Sequence, residues 1–159
     1  MAISRREFTK LAGTTVVCAC VVGAAGMTGC TSERGISDTP SAPEGSYHGE
    51  GNKVIIALSE VDALREVGGA VKLPLRAEDG SELQVIVVHS TDVDYRAFAD
   101  RCTHKGKELN YLHQEKKLAC SGLRSQFDLQ GSVIRGPAED PLSRYRLWRE
   151  GEELVIEVS

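Results

Sequence analysis

Two short segments carry metal-binding side chains at positions where strands do not select them. The first is Cys102-Thr103-His104-Lys105-Gly106. The second, Cys120-Ser121-Gly122-Leu123-Arg124-Ser125-Gln126-Phe127, follows with seventeen residues between the two cysteines. Cys-x-His followed by glycine suits one tight turn that presents a thiolate and an imidazole on the same side, a donor pair for a transition metal. Thiolates sharing a tetrahedral metal lie about 3.8 Å apart, whereas a disulfide needs about 2.05 Å. A small shift therefore closes the pair when no metal is present. In an oxidising compartment that closure stabilises by about 3 kcal/mol on the chain-entropy model. Ligation and a Cys102–Cys120 disulfide both stay open at this point.

The surrounding sequence shows what must hold these loops. Val54-Ile55-Ile56-Ala57-Leu58, Ala70-Val71-Lys72-Leu73, Leu83 to Val88 and Tyr95-Arg96-Ala97-Phe98 have an apolar period nearer two than 3.6, as do the later runs at 117–119, 127–129, 132–134, 145–148 and 153–158. Asp79-Gly80, Gln130-Gly131 and Glu150-Gly151 supply tight hairpin turns. The spacing predicts an all-β domain of small antiparallel sheets with ligand-bearing loops. One short helix is expected over Val61 to Val67, with Ser59 and Asp62 as a loose capping box. Asn110 to Lys116 read as a polar tip between two strands, which places His113 on solvated surface. His89, at the end of the Val85 to Val88 strand, is expected to be structural or exposed.

The order of the two cysteine loops, the Phe127-Asp128-Leu129-Gln130-Gly131 hairpin and the third loop Gly136-Pro137-Ala138-Glu139-Asp140-Pro141-Leu142 resembles the Rieske iron-sulfur domain over about residues 53 to 158. The resemblance implies a 2Fe-2S cluster in which two thiolates hold one iron and two imidazoles the other, raising the potential above that of all-thiolate clusters. By that resemblance Cys102 and Cys120 are the thiolate ligands and His104 is the first imidazole. Ser125 keeps the place of a serine that donates to the cluster sulfides. Gly106 and Pro137 belong to the loops that enclose the cofactor, and Phe127 stands where high-potential members carry tyrosine. The family's second loop runs Cys-x-x-His-Gly-Ser, so its histidine falls on Leu123 and its glycine on Arg124. The extra cysteines of high-potential members fall on Lys107 and Gly122, so their auxiliary disulfide is absent.

Before the body, residues 4 to 10 read Ser-Arg-Arg-Glu-Phe-Thr-Lys and Leu11 to Gly29 carry no charge. Arg5 and Arg6 resemble the twin-arginine export signal. Nineteen apolar residues make roughly 28 Å of helix, enough to span a bilayer uncleaved. The run ends in Met27-Thr28-Gly29-Cys30, which looks like a lipobox with Cys30 as the lipidated residue. Lipid anchor, uncleaved helix and plain secretion all place the body outside the cytoplasmic membrane. Cys18 and Cys20 read as small hydrophobes. Thr31 to Asn52, rich in small and polar residues, is expected to be a flexible linker that includes a solvated His48, with the folded domain over 53–159.

The chain's 159 residues suit one core, and a net charge of −4 argues against nucleic acid. No nucleophile motif, glycine-rich phosphate loop or zinc spacing points to a stand-alone hydrolase or transferase. The resemblance thus implies a membrane-tethered one-electron carrier, or a redox subunit of a quinol- or cytochrome-linked oxidoreductase. Its partners would be redox proteins and, through the N-terminal anchor, the membrane. The alternative is a cluster-free structural or interaction domain with the body cysteines paired or merely buried.

Overall fold

β4 (Glu82–Thr91) explains the architecture, because its residues from Val85 to Ser90 are all buried. Successive side chains of a strand point to opposite faces, so an unbroken buried run requires a core on each side. Val85 and Val87 enter one core with Val71, Leu73, Ile56, Leu154 and Ile156. Ile86 and Val88 enter a second with Phe98, Leu109, Leu118 and Phe127. β3 (Ala70–Arg76) and β5 (Asp94–Ala99) flank β4 antiparallel and share this wall. β3 closes the edge of its sheet, where Pro74, which has no N–H to donate, is tolerated.

The computed structural model of the chain describes residues 38–76, 80–122 and 124–158, all within one compact unit, Ile36–Ser159. The signal, Cys18, Cys20, Cys30, Asp79 and Leu123 lie outside the described residues. No helix among the described residues is long and apolar enough to cross a membrane. The larger sheet has seven strands in the order β1-β2-β11-β10-β5-β4-β3. Its remaining members are β1 (Tyr47–Glu50), β2 (Lys53–Ala57), β10 (Arg144–Glu150) and β11 (Glu153–Glu157). A four-stranded sheet, β6 (Leu109–Leu112), β7 (Lys117–Cys120), β8 (Gln126–Asp128) and β9 (Val133–Arg135), covers the second core. The expected antiparallel all-β domain is what the chain forms. Gly131 (φ +89°) and Gly151 (φ +62°) supply the left-handed positions at their hairpins.

Three expectations are corrected. The stretch 38–52, taken as linker from its composition, is built into the domain. β1 pairs with β2, Ala42 N–H donates to the Lys72 C=O and Lys72 N–H to the Pro40 C=O, both at 2.8 Å, and Thr39 and Ser46 are buried. An edge segment contributes main-chain hydrogen bonds rather than large apolar side chains, so composition does not register it. The helix over Val61 to Val67 is instead a pair of 3-10 turns, Leu58–Glu60 and Asp62–Leu64, and neither has a side-chain cap. Burial of Leu58, Val61 and Leu64 sets their path, and seven residues are too few to nucleate an α-helix on their own. Finally, Asn110 and Tyr111 belong to β6 and are buried; the polar tip is only His113–Lys116, with Lys116 at φ +47°.

Candidate metal centre

The cysteine loops leave the same end of the two sheets. Cys102 follows β5, and Cys120 ends β7 opposite Leu109 at the start of β6. The first loop turns back on itself through Gly106 N–H to Cys102 C=O and Cys102 N–H to Lys107 C=O, both 2.7 Å, with Gly106 at φ +66°. The second is fastened to it by Ser121 N–H to Glu108 C=O at 2.9 Å. Both cysteines are free and buried.

The two thiols are neighbours. Burial pushes the Cys120 thiol above its ordinary pKa, and the hydrogen bond and charge of Cys102 add to the rise, while the Gly122 N–H and the Lys107 ammonium oppose it. Lys107 Cδ and Nζ lie 3.9 Å from where a Cβ on Gly122 would sit, as does Cys120 Sγ. The two positions at which the resemblance puts extra cysteines therefore do face each other across the loops, occupied here by a lysine stem and a glycine.

The third loop closes over this pair. Ser125 is buried, and its Oγ accepts the Ala138 N–H at 3.0 Å. The hydroxyl proton stays free to point elsewhere. Thr103 Oγ1 donates to the Asp140 carbonyl at 2.8 Å, so all three loops are tied into one tip. Pro137, after a cis peptide from Gly136, is exposed. The ties through Thr103, Ala138 and Lys107 had no signal in the sequence, because they join loops whose separation only folding abolishes.

Below the tip, buried Asp100 accepts the Leu109 N–H at Oδ1 (2.6 Å), and its Oδ2 lies 3.5 Å from Lys72 Nζ. Lys72 also meets Glu108 at 2.7 Å. Burial raises the Asp100 pKa more than the Leu109 amide and Lys72 lower it.

His104 occupies the exposed turn of the first loop. Among the described residues no group of three His, Cys, Asp or Glu side chains is placed to hold a metal ion. His113 begins the turn at the far end of the β6–β7 hairpin, one residue beyond the Leu112–Lys117 pair and roughly 13 Å along the strand from Leu109. His89 is buried and stacked on Tyr95 with ring centroids 4.1 Å apart, at the end of the β4–β5 pair remote from Cys102. Neither histidine can reach the loops. Cys102 and Cys120, free, buried and adjacent, fit the thiolate half of a two-iron site, and His104 lies on the same turn as Cys102.

A family model for the Rieske [2Fe-2S] domain matches residues 59–146. The chain belongs to the Rieske family. It is 30% identical over 106 residues to the cytochrome b6-f complex iron-sulfur subunit of Chlorobaculum thiosulfatiphilum, an alignment covering 62% of this chain and 55% of that one. The chain thus spans about half the length of this curated relative. Among solved structures, the apo form of the quaternary ammonium Rieske monooxygenase CntA superposes with a TM-score of 0.50 at 15% identity, over 80% of this chain and 35% of that one. The plasma membrane Rieske protein PetC3 of Synechocystis PCC 6803 has a TM-score of 0.45 at 22% identity, with coverages of 55% and 86%. At these identities the structural likeness concerns the fold.

Proposed function

We propose that this Rieske-domain protein is a membrane-tethered one-electron carrier on the extracytoplasmic face, a redox subunit of a quinol- or cytochrome-linked oxidoreductase. The observation that carries the reading is the pair of free, buried, neighbouring thiols, Cys102 and Cys120, at a tip of three mutually bonded loops. A 2Fe-2S cluster bound there would supply one-electron chemistry at a potential set by its ligands, their hydrogen bonds and solvent access. Cys102 and Cys120 are the residues to hold one iron, and His104, on the same turn as Cys102, is the imidazole available to the other. Ser125, Gly106 and Pro137 shape the enclosure, with Ser125 also fixing the third loop. The b6-f name of the curated relative supports a cytochrome complex as partner. Arg5-Arg6 and Cys30 support export and a lipid anchor.

The test is to express the full chain with its native signal, and again anaerobically, and to measure iron, acid-labile sulfide and visible absorption. Near-equal iron and sulfide approaching a full cluster per chain are expected; sub-stoichiometric iron under both conditions overturns the reading. Leu123→His should raise occupancy if the loop frame is intact. Cys30→Ser should release a lipoprotein from membranes and leave a true membrane helix attached.

Leucine in the second-loop place of the family's histidine favours a second reading, a cluster-free scaffold. It expects iron-free protein from the native host with a Cys102–Cys120 disulfide in the peptide map.

A further inference from the structure

Two sulfurs are a complete ligand set for few metals, and two sulfurs are what this chain brings together. Cys102 and Cys120 are free, 1% and 6% exposed, and packed in the second core with Leu109, Phe127, Ala138 and Leu142. Cys102 hydrogen-bonds the Cys120 thiol, so the pair is in direct contact. Among the described residues no group of three His, Cys, Asp or Glu side chains is placed to hold a metal ion. Coordination number and softness then decide which cation suits the pair. A structural Zn(II) site asks for four donors, and Mg(II) and Ca(II) ask for six or more oxygens. Thiolate selects the soft cuprous ion, whose filled d shell is satisfied by two sulfurs in line.

The surroundings suit the charge of such a centre. Two thiolates on one Cu(I) leave a single negative charge, far less costly to bury than two bare thiolates. Gly122 N–H donates to the Cys120 sulfur, and the Lys107 ammonium favours its anionic form. Lys107 Nζ stands 3.9 Å from the Cβ position of Gly122, the same distance as Cys120 Sγ. Burial of both sulfurs in an apolar core keeps water from completing a larger coordination shell.

We propose that Cys102 and Cys120, in the chain without a cluster, form a two-coordinate site for the cuprous ion. On binding, two S–H bonds break and two Cu–S bonds form, both protons pass to solvent, and copper stays in the +1 state. No oxidant or reductant is consumed. The bound ion holds the sulfurs well beyond the roughly 2.05 Å of a disulfide, so it also bars their oxidative closure. Copper and a 2Fe-2S cluster compete for the same sulfurs; the site therefore goes beyond the redox reading above and does not rest on it.

The experiment uses the full chain, purified anaerobically under a reductant, with iron and acid-labile sulfide measured first. The probe is Cu(I) offered as its bicinchoninate complex, whose colour fades as the protein takes the metal. One copper per chain is expected, with two sulfurs and no other neighbour in the X-ray absorption fine structure. Cys102→Ala and Cys120→Ala should each weaken binding by about a hundredfold or more, with the fold of each checked by circular dichroism. Where alanine unfolds the chain, the closer-fitting serine variants make the same test. Wild-type uptake by the variants, an imidazole nitrogen or a third sulfur on the copper, or displacement of copper by an equal concentration of Zn(II) overturns the proposal. In a preparation that carries the cluster, a modest excess of Cu(I) should expel the iron as copper binds. A cluster retained with no copper taken up overturns the copper site and leaves the redox reading standing. Chain that is iron-free under both expression conditions but takes up one copper defeats the cluster alone, and chain that holds neither defeats both.

Discussion

Ser125 shows how one side chain serves both packing and site. Its place in the second loop is recognisable from the order Cys-x-x-x-x-Ser, but its partner, the Ala138 N–H thirteen residues on, is not. Both groups are buried, so Ser125→Ala leaves an unsatisfied amide at a cost of about 1–3 kcal/mol. A lowered urea midpoint and faster exchange of the Ala138 amide are expected, and unchanged exchange would show that the third loop is held otherwise. Asp100 gives a pH dependence. Its folded pKa lies above the unfolded value near 3.9, so the folded state binds this proton more tightly. Its contribution is fully present below the unfolded value and is lost as pH rises through the folded one. Asp100→Asn keeps an acceptor for Leu109 without the charge. Relative to wild type its urea midpoint should improve as pH goes from 4 to 7; a gap that does not change with pH would refute the account.

At the scale of elements, alternation made most strands legible, and the β4 run predicts burial although it does not say that two cores require it. β6 was hidden because Asn110 looks like a turn residue. The structure satisfies its amide from the N-terminal segment, where Thr39 N–H donates to Oδ1 at 3.1 Å and Nδ2 donates to Asp38 at 3.2 Å. The connection before β3 depends on Gly68 in the same way. It sits at φ +94°, and a Cβ there would overlap the His113 ring of the β6–β7 turn. Gly68→Ala should therefore destabilise by about 2 kcal/mol or more, from backbone strain plus displacement of the imidazole. Adding His113→Ala should return the steric part and leave the backbone part, as read by a double-mutant cycle in urea.

For the whole molecule, the boundary of the folded unit is the point most open to test. A chain beginning at Lys53 discards β1, the bond from Tyr111 N–H to Thr39 Oγ1 at 2.9 Å, and the main-chain bonds of Lys72 with Pro40 and Ala42. A chain beginning at Ile36 keeps all three. At about 1 kcal/mol per hydrogen bond, the shorter form should melt well below the longer one. Equal melting temperatures would restore the reading of 38–52 as a tether. By itself the sequence determined the strand alternation and the three loops in Rieske order, because periodicity, spacing and residue type are local properties. Only the tertiary structure decided that the two thiols are buried neighbours and that the segment around Thr39, Ala42 and β1 is built into the domain. Those facts depend on contacts between segments far apart in the chain, which no local pattern encodes.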